Sequence, residues 1–244
     1  MSFNNQSVQG LAHDYETTGL DVASLGLVQS ALAIVTVHQD GSYEIHDKDV
    51  TLLNPGEKIS PEATAIHGYS DFDVADKPAW EPYMREQMAT VNSLGLDAVF
   101  SFNGNRFDNR IAARVGMKPL RSVDLFKAAS KFKSAKLWEK ANLGYSYEKL
   151  LGKPLEKAHD AFADIIATMD MIKPAMALAE VSTLDEFVVW MKGDAGTPEY
   201  KINFGKHKGS KLRNLPRDYL KWLVSGDIDI DPDLEEGVRA CLSR

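Results

Sequence analysis

The stretch His13-Asp14-Tyr15-Glu16-Thr17-Thr18-Gly19-Leu20-Asp21 closes an apolar run with carboxylates on alternate residues and then breaks at a glycine. Read as the end of a strand over residues 8–16, it sends Asp14 and Glu16 to one face and His13 and Tyr15 to the other, because side chains alternate along a strand. Neighbouring carboxylates suit a hard divalent cation, Mg²⁺ or Mn²⁺, rather than zinc, which favours nitrogen and sulfur ligands. Taken alone, an Asp-x-Glu pair can also mark nothing more than the end of an edge strand, so the reading turns on what else the chain supplies.

Two further acidic groups supply it. The apolar run Leu96-Asp97-Ala98-Val99-Phe100-Ser101-Phe102 predicts a strand leading into Asn103-Gly104-Asn105-Arg106-Phe107-Asp108-Asn109. There Asn-Gly marks a turn, and Asp108 starts a helix carrying Ile111, Ala112 and Val115. Farther on, Ala158-His159-Asp160-Ala161-Phe162-Ala163-Asp164 opens a helix running toward Met176. His159 precedes Asp164 by five residues, which on a continuous helix would set them about 140° apart. The histidine is therefore expected on the loop ahead of the helix, with Asp160 as the N-cap.

Together these segments resemble the DEDDh branch of the 3′-to-5′ exonucleases, and the resemblance covers most of residues 8–176. Asp-x-Glu-Thr-Thr-Gly at 14–19, Asn-Gly-Asn-Arg-Phe-Asp at 103–108 and His-Asp-Ala-x-x-Asp at 159–164 look like the family's three motifs. The segment ending in Ile66-His67-Gly68 is similar to a further family stretch. The sister branch places a tyrosine four residues before the last aspartate, where this chain has Asp160. The resemblance implies a ribonuclease H-like α/β fold, with a mixed five-stranded sheet flanked by helices. It also implies that Asp14, Glu16, Asp108 and Asp164 hold two Mg²⁺ or Mn²⁺ ions while His159 acts as general base. Substrate contacts would come from Thr17, Gly19, Leu20, His67, Asn103 and Phe107. The implied reaction is hydrolysis of DNA from the 3′ end with release of nucleoside 5′-monophosphates. Phe102 and His13 depart from the family's usual residues, but neither is a catalytic position, and His13 is expected to find a polar partner on the opposite side of the sheet. Leu20 reads equally as a wedge against a terminal base or as a core leucine.

The coarse layout adds strands at 27–38 and 43–53, joined through a turn at 40–42, and helices at 79–94, 122–133 and 160–176. At 244 residues the chain exceeds one exonuclease domain and falls short of two full-sized ones. We read a catalytic domain over 1–192, a linker over 193–199 and a small basic module over 200–244. The module resembles the C-terminal module of the exodeoxyribonuclease X group, with Phe204-Gly205-Lys206-His207-Lys208-Gly209 as its turn and Tyr219-Leu220-Lys221-Trp222-Leu223 as its helix. Tyr219 and Trp222 there read either as a packing face or as a base-stacking platform.

The net charge of −7 conceals local basic surface. Residues 106–157 hold thirteen basic side chains against five acidic, and residues 201–221 hold seven against Asp218 alone. Such patches suit phosphate binding, and any single lysine in them also reads as a solvated helical face. The acidic stretch at 227–236 is expected in solvent. The single cysteine, Cys241, excludes an intramolecular disulfide and fits a reducing compartment. The polar start at 1–6 is no signal peptide, and the longest apolar stretch, 31–37, is too short for a membrane. A cytoplasmic enzyme is expected, with single-stranded DNA or duplex 3′ ends as partner, no membrane, and RNA as an alternative substrate. A non-catalytic nucleic-acid-binding subunit is the rival class. Against it stands the cluster of acids, which repel one another without a metal.

Overall fold

Residues Ser7–Thr17 form β1, the middle strand of a five-stranded sheet. The computed structural model describes residues 6–225, 228 and 230–243, so the polar start at 1–5 and Asp227 and Asp229 of the acidic stretch lie outside the described residues. On one side of β1, β2 (Leu27–His38) and β3 (Tyr43–Leu52) add antiparallel. On the other, β4 (Ala98–Ser101) and β5 (Arg121–Asp124) add parallel, giving the order β3-β2-β1-β4-β5. This is the mixed sheet expected. Gly10 lets β1 and β4 meet, since a Cβ there would lie 2.5 Å from the Phe100 ring and 2.9 Å from the Ala98 carbonyl oxygen.

Between β3 and β4 run α1 (Pro61–His67), α2 (Asp71–Val74) and α3 (Trp80–Ser93), and α4 (Asp108–Arg114) lies between β4 and β5. After β5 come α5 (Phe126–Ser134), α6 (Leu143–Leu151), α7 (Ala161–Asp170), α8 (Ile172–Leu178) and α9 (Leu184–Lys192). Buried Leu11 and Tyr15 of β1 join Met84, Met88 and Val91 of α3 and Ile111 and Ala112 of α4 in one apolar core. The opposite face of β1 and β2 is crossed by α7. With both faces covered, β1 cannot show the clean apolar/polar alternation of a half-exposed strand.

Two elements differ from the sequence reading. The helix expected over 122–133 begins only at Phe126, because Arg121–Asp124 pairs with β4 as a fifth strand. Four residues carry too little periodicity to reveal that pairing. The helix expected over 160–176 breaks at Met171 into α7 and α8. Pro174 has no N–H for the Asp170 carbonyl, and its ring crowds that oxygen.

The chain divides into two compact units, Met1–Phe187 and Val188–Arg244, with the division inside α9. The second unit holds a short 3₁₀ turn (Leu212–Asn214), α10 (Arg217–Leu223) and α11 (Pro232–Leu242). It has its own core of Ile202, Leu212, Leu215, Tyr219, Leu220, Leu223, Leu234 and Val238. Residues 193–199 form turns inside this unit, and a Cβ on Gly237 of α11 would lie 2.6 Å from the Ala195 carbonyl oxygen.

Candidate active site

Alternation along β1 sends Asp14 and Glu16 toward α7 and His13 and Tyr15 toward α4. Asp108 opens α4, and its Oδ1 accepts the Tyr15 backbone N–H at 3.2 Å, which ties the second acidic segment to the first. Asp164 lies in the first turn of α7, buried like Glu16 and Asp108. His159 is on the loop before α7, exposed, in the left-handed region at φ 68°. Its backbone N–H donates to Asp164 Oδ2 at 3.2 Å. Glu16, His159 and Asp164 each offer a ligand atom, and these atoms lie within 4.8 Å of one another.

The electrostatics of this cluster are those of anions crowded away from water. Burial pushes the Glu16 carboxyl up to about 8, with the charges of Asp164, Asp108 and Asp160 adding to it. Burial likewise raises Asp108 to about 7 and Asp164 to about 6. Asp14 is held well above the usual carboxylate range by desolvation first, then by Asp108, Asp164, Glu16 and Asp160. Asp164 Oδ1 is buried with no hydrogen-bond partner. An orphaned anionic oxygen amid mutually repelling carboxylates fits a divalent cation, which would neutralise the repulsion and take the free oxygen.

Supporting residues hold this geometry. Asp160 caps α7 through Ala163 N–H at 3.0 Å. Gln29 sits across from Glu16 on β2, accepts Ala161 N–H at 2.9 Å and donates to the Tyr69 hydroxyl at 3.0 Å, so α7 is pinned to the sheet beside the acids. Asp124, at the end of β5, accepts the backbone N–H groups of Asn103 at 2.7 Å, Asn105 at 3.1 Å and Phe126 at 3.0 Å. That one carboxylate shapes the loop leading to Asp108. Sequence reasoning missed both Gln29 and Asp124. A buried-strand Gln carries no sequence signal, and Asp124 registers only as an acid among basic residues until β5 is recognised.

The remaining candidates fall in different settings. Thr17 donates its hydroxyl to the Gly19 carbonyl at 2.7 Å, while the Thr18 hydroxyl and Gly26 N–H both reach Glu57 Oε1, at 2.5 and 2.9 Å. The loop so held projects Leu20, which is 87% exposed and is thus no core leucine. His67 stacks on Tyr69 at 5.6 Å, its Nδ1 accepts the Tyr69 N–H, and its Nε2 is buried without a partner. Asn103 adopts φ 68° in the loop that Asp124 shapes, and Phe107 packs half-buried against the core. His13 is buried and neutral, its pKa lowered by burial to about 4. Its Nε2 donates to Asn109 Oδ1 at 2.7 Å and its Nδ1 accepts from the Tyr15 hydroxyl at 3.0 Å. Of the basic run at 106–157, Arg114 is used internally. It donates to the Leu25 carbonyl at 3.3 Å, and its guanidinium lies 5.2 Å from the centre of the Trp80 ring.

The fold recurs in solved structures. The zinc-bound complex of E. coli exonuclease I with single-stranded DNA matches with a TM-score of 0.59 at 19% identity, covering 70% of this chain and 41% of that one. The complex of E. coli exonuclease I with a dT13 oligonucleotide matches with a TM-score of 0.56 at 20% identity, covering 69% of this chain and 41% of that one. Its complex with a 5cy-dT13 oligonucleotide gives 0.60 at 16% identity, covering 92% and 62%. This chain therefore spans about two fifths of the length of most of these exonuclease I chains, and at such identities the likeness is one of fold. No curated protein matches the sequence. Among the described residues, no helix is long and apolar enough to cross a membrane. The RNase T exonuclease family matches residues 11–172, a span that takes in β1 with Asp14 and Glu16, the Asp108 helix and the His159–Asp164 segment, and the chain belongs to that family.

Proposed function

We propose that this chain is a metal-dependent 3′-to-5′ exonuclease that hydrolyses DNA from its 3′ end and releases nucleoside 5′-monophosphates. The observation that carries the reading is the convergence of Glu16, His159 and Asp164, with ligand atoms within 4.8 Å, beside the raised carboxyls of Asp14 and Asp108. Asp14, Glu16, Asp108 and Asp164 would hold two divalent ions, Mg²⁺ or Mn²⁺. Such ions, when bound, stabilise charge on the attacking and leaving oxygens of a phosphodiester.

His159 takes the proton of the attacking water through its imidazole. Its main chain is anchored on Asp164 while its ring stays open to solvent, a combination that supports proton exchange with bulk water. Leu20 stacks against the terminal base, supported by its exposure on a loop braced by Thr17, Thr18 and Glu57. His67 adds an imidazole beside that strand, and Gly19 leaves room for its backbone. Asn103 and Phe107 act through the loop and helix that carry Asp108.

DNA as substrate is supported by the exonuclease I neighbours, which were solved with single-stranded DNA and oligothymidylate. The 3′-to-5′ direction rests on the resemblance of the motif set. The test is to incubate the protein with 5′-labelled single-stranded DNA, duplex DNA and RNA, with Mg²⁺ or with EDTA. A Mg²⁺-dependent ladder shortening from the 3′ end of DNA is expected. Loss of the 5′ label first, cleavage in EDTA, or degradation of RNA alone would overturn the reading.

A further inference from the structure

We propose that the 204–209 loop and the exposed side of α10, in the second unit, form a binding site for a nucleic-acid strand, with Trp222 and Phe204 stacking on bases and Lys206, Lys208 and Lys221 meeting phosphates. The proposal deepens the exonuclease reading by giving the substrate a second point of attachment, and it rests on that reading for the choice of a nucleic acid over another polyanion.

Along α10, Tyr219, Leu220 and Leu223 are buried in the unit's core, yet Trp222 leaves 43% of its surface exposed. The two aromatics that share a helix face in the sequence thus part company. Tyr219 packs, and Trp222 leans on it at 5.2 Å with the rest of its indole in water. Phe204, just before the loop's first glycine, is 37% exposed. The loop is pressed onto α10. The His207 ring lies 4.5 Å from Tyr219, and Lys206 Nζ lies 5.5 Å from the centre of the Tyr219 ring. Gly205 sits at φ +65°, where a Cβ would approach the Tyr219 hydroxyl to 2.7 Å, so glycine is favoured at this position. Lys206 of the loop is in this way held over the Tyr219 ring, on which Trp222 also leans.

Charge selects the occupant. Of the seven basic residues in 201–221, Lys211 and Arg213 pair with Glu199, and Arg217 donates to the Leu242 carbonyl. Lys201, Lys206, Lys208 and Lys221 are exposed and have no ion-pair partner among the described residues. An exposed indole in a unit that also exposes lysines without ion-pair partners matches the way sequence-tolerant binders hold a single strand, by stacking on bases and pairing with phosphates. A protein partner would instead call for an apolar patch with few lysines at its centre.

The experiment uses the full chain in EDTA, so that the strand is not degraded, and reads the anisotropy of a fluorescein-labelled oligothymidylate across a salt series. Trp222→Ala should weaken binding by about 5- to 150-fold, the loss of one stacked base. Trp222→Phe should restore most of it. Lys206→Ala with Lys208→Ala should lower the slope of log affinity against log salt by about 0.7 for each phosphate that is no longer neutralised. Hydrolysis of the p-nitrophenyl ester of thymidine 5′-monophosphate, measured with Mg²⁺, should be unchanged in these variants, because the ester has no flanking strand. Wild-type affinity and salt slope in variants that melt normally would overturn the proposal. So would an unchanged affinity accompanied by a dimer-to-monomer change in light scattering, which would make the surface an interface between copies. Failure of the wild-type protein to cleave either the ester or DNA would sink the exonuclease reading and leave the binding result to stand by itself.

Discussion

On the face of β1 that meets α4, His13 is buried between the Tyr15 hydroxyl and Asn109, each of its ring nitrogens paired, and its neutral form is favoured. On the face that meets α7, Glu16 and Asp164 are equally buried, yet Asp164 Oδ1 has no partner and each carboxyl is pushed up by burial and by its neighbours. The two faces of this strand therefore border buried polar groups of opposite kinds, satisfied on one side and frustrated on the other. A satisfied buried network stiffens a structure, whereas unsatisfied buried anions cost stability and persist where a ligand completes them. The acid face thus has the donor chemistry that fits a divalent cation, and the paired His13 and Asn109 lie on the other side of the strand. Each is one residue away from a candidate ligand, Asp14 or Asp108.

The sharpest way to break this contrast is to remove an acid. Glu16→Gln or Asp164→Asn should reduce hydrolysis to background while leaving the metal-free protein no less stable, since repulsion is relieved. Wild-type turnover in either variant, or a large loss of metal-free stability, would place that carboxylate among the satisfied groups. Next in size is His159→Ala, expected to lower the rate about 10²- to 10⁴-fold with strand affinity retained. Single-turnover rates alongside anisotropy would measure both, and an unchanged rate would remove His159 from the proton transfer.

On the satisfied face, His13→Leu takes away the partners of the Tyr15 hydroxyl and of Asn109 Oδ1, at about 1–3 kcal/mol for each group left unpaired. It should also weaken Mn²⁺ binding by about 10- to 100-fold, as loss of a group that positions ligands does. Calorimetric Mn²⁺ titration would check this, with His13→Gln recovering part of the affinity. Full Mn²⁺ affinity in His13→Leu would mean that the two faces act independently.

The remaining effect is in pH, and there the two faces pull in opposite directions. Without metal, folded Glu16, Asp108 and Asp164 keep protons up to about 8, 7 and 6, whereas the unfolded chain releases them near 4.5, 3.8 and 3.8. Stability must fall as pH rises through that window, by at most about 1.4 kcal/mol per pH unit for each group. His13 acts the other way: unfolded, it takes a proton below 6.5, and folded only near 4, so stability falls as pH drops between them. Melting temperatures in EDTA should decline from pH 6 to 8, less steeply in Glu16→Gln, and saturating Mg²⁺ should remove the decline. A flat EDTA profile would contradict the frustrated state of the acid face.

Much of this was legible from local pattern. The alternation that puts Asp14 and Glu16 on one side of β1 is a property of any strand, and the capping of α7 by Asp160 follows from a short acidic residue ahead of an apolar helix. The hairpin strands and α3 likewise declare themselves through periodicity over ten or more residues. What escaped detection is short or long-range. The four residues of β5 are a strand only because β4 lies beside them, and Asp124 gains its three N–H donors only once that strand ends where it does. Gln29 matters because β2 returns antiparallel and brings it to the start of α7.

Residue types and their spacing were thus enough to indicate the family and to single out candidate acids and a candidate histidine, because ligand chemistry is written in side chains and in the two-residue repeat of a strand. Which buried polar groups are satisfied and which are left wanting could be decided only by the folded chain. Hydrogen-bond partners such as Asn109 for His13, 96 residues away, are brought within reach by packing alone. The same holds for Trp222 and Tyr219. Their spacing on α10 allowed either a packing face or a stacking platform, and the closing of the second unit's core buried one ring and left the other in water.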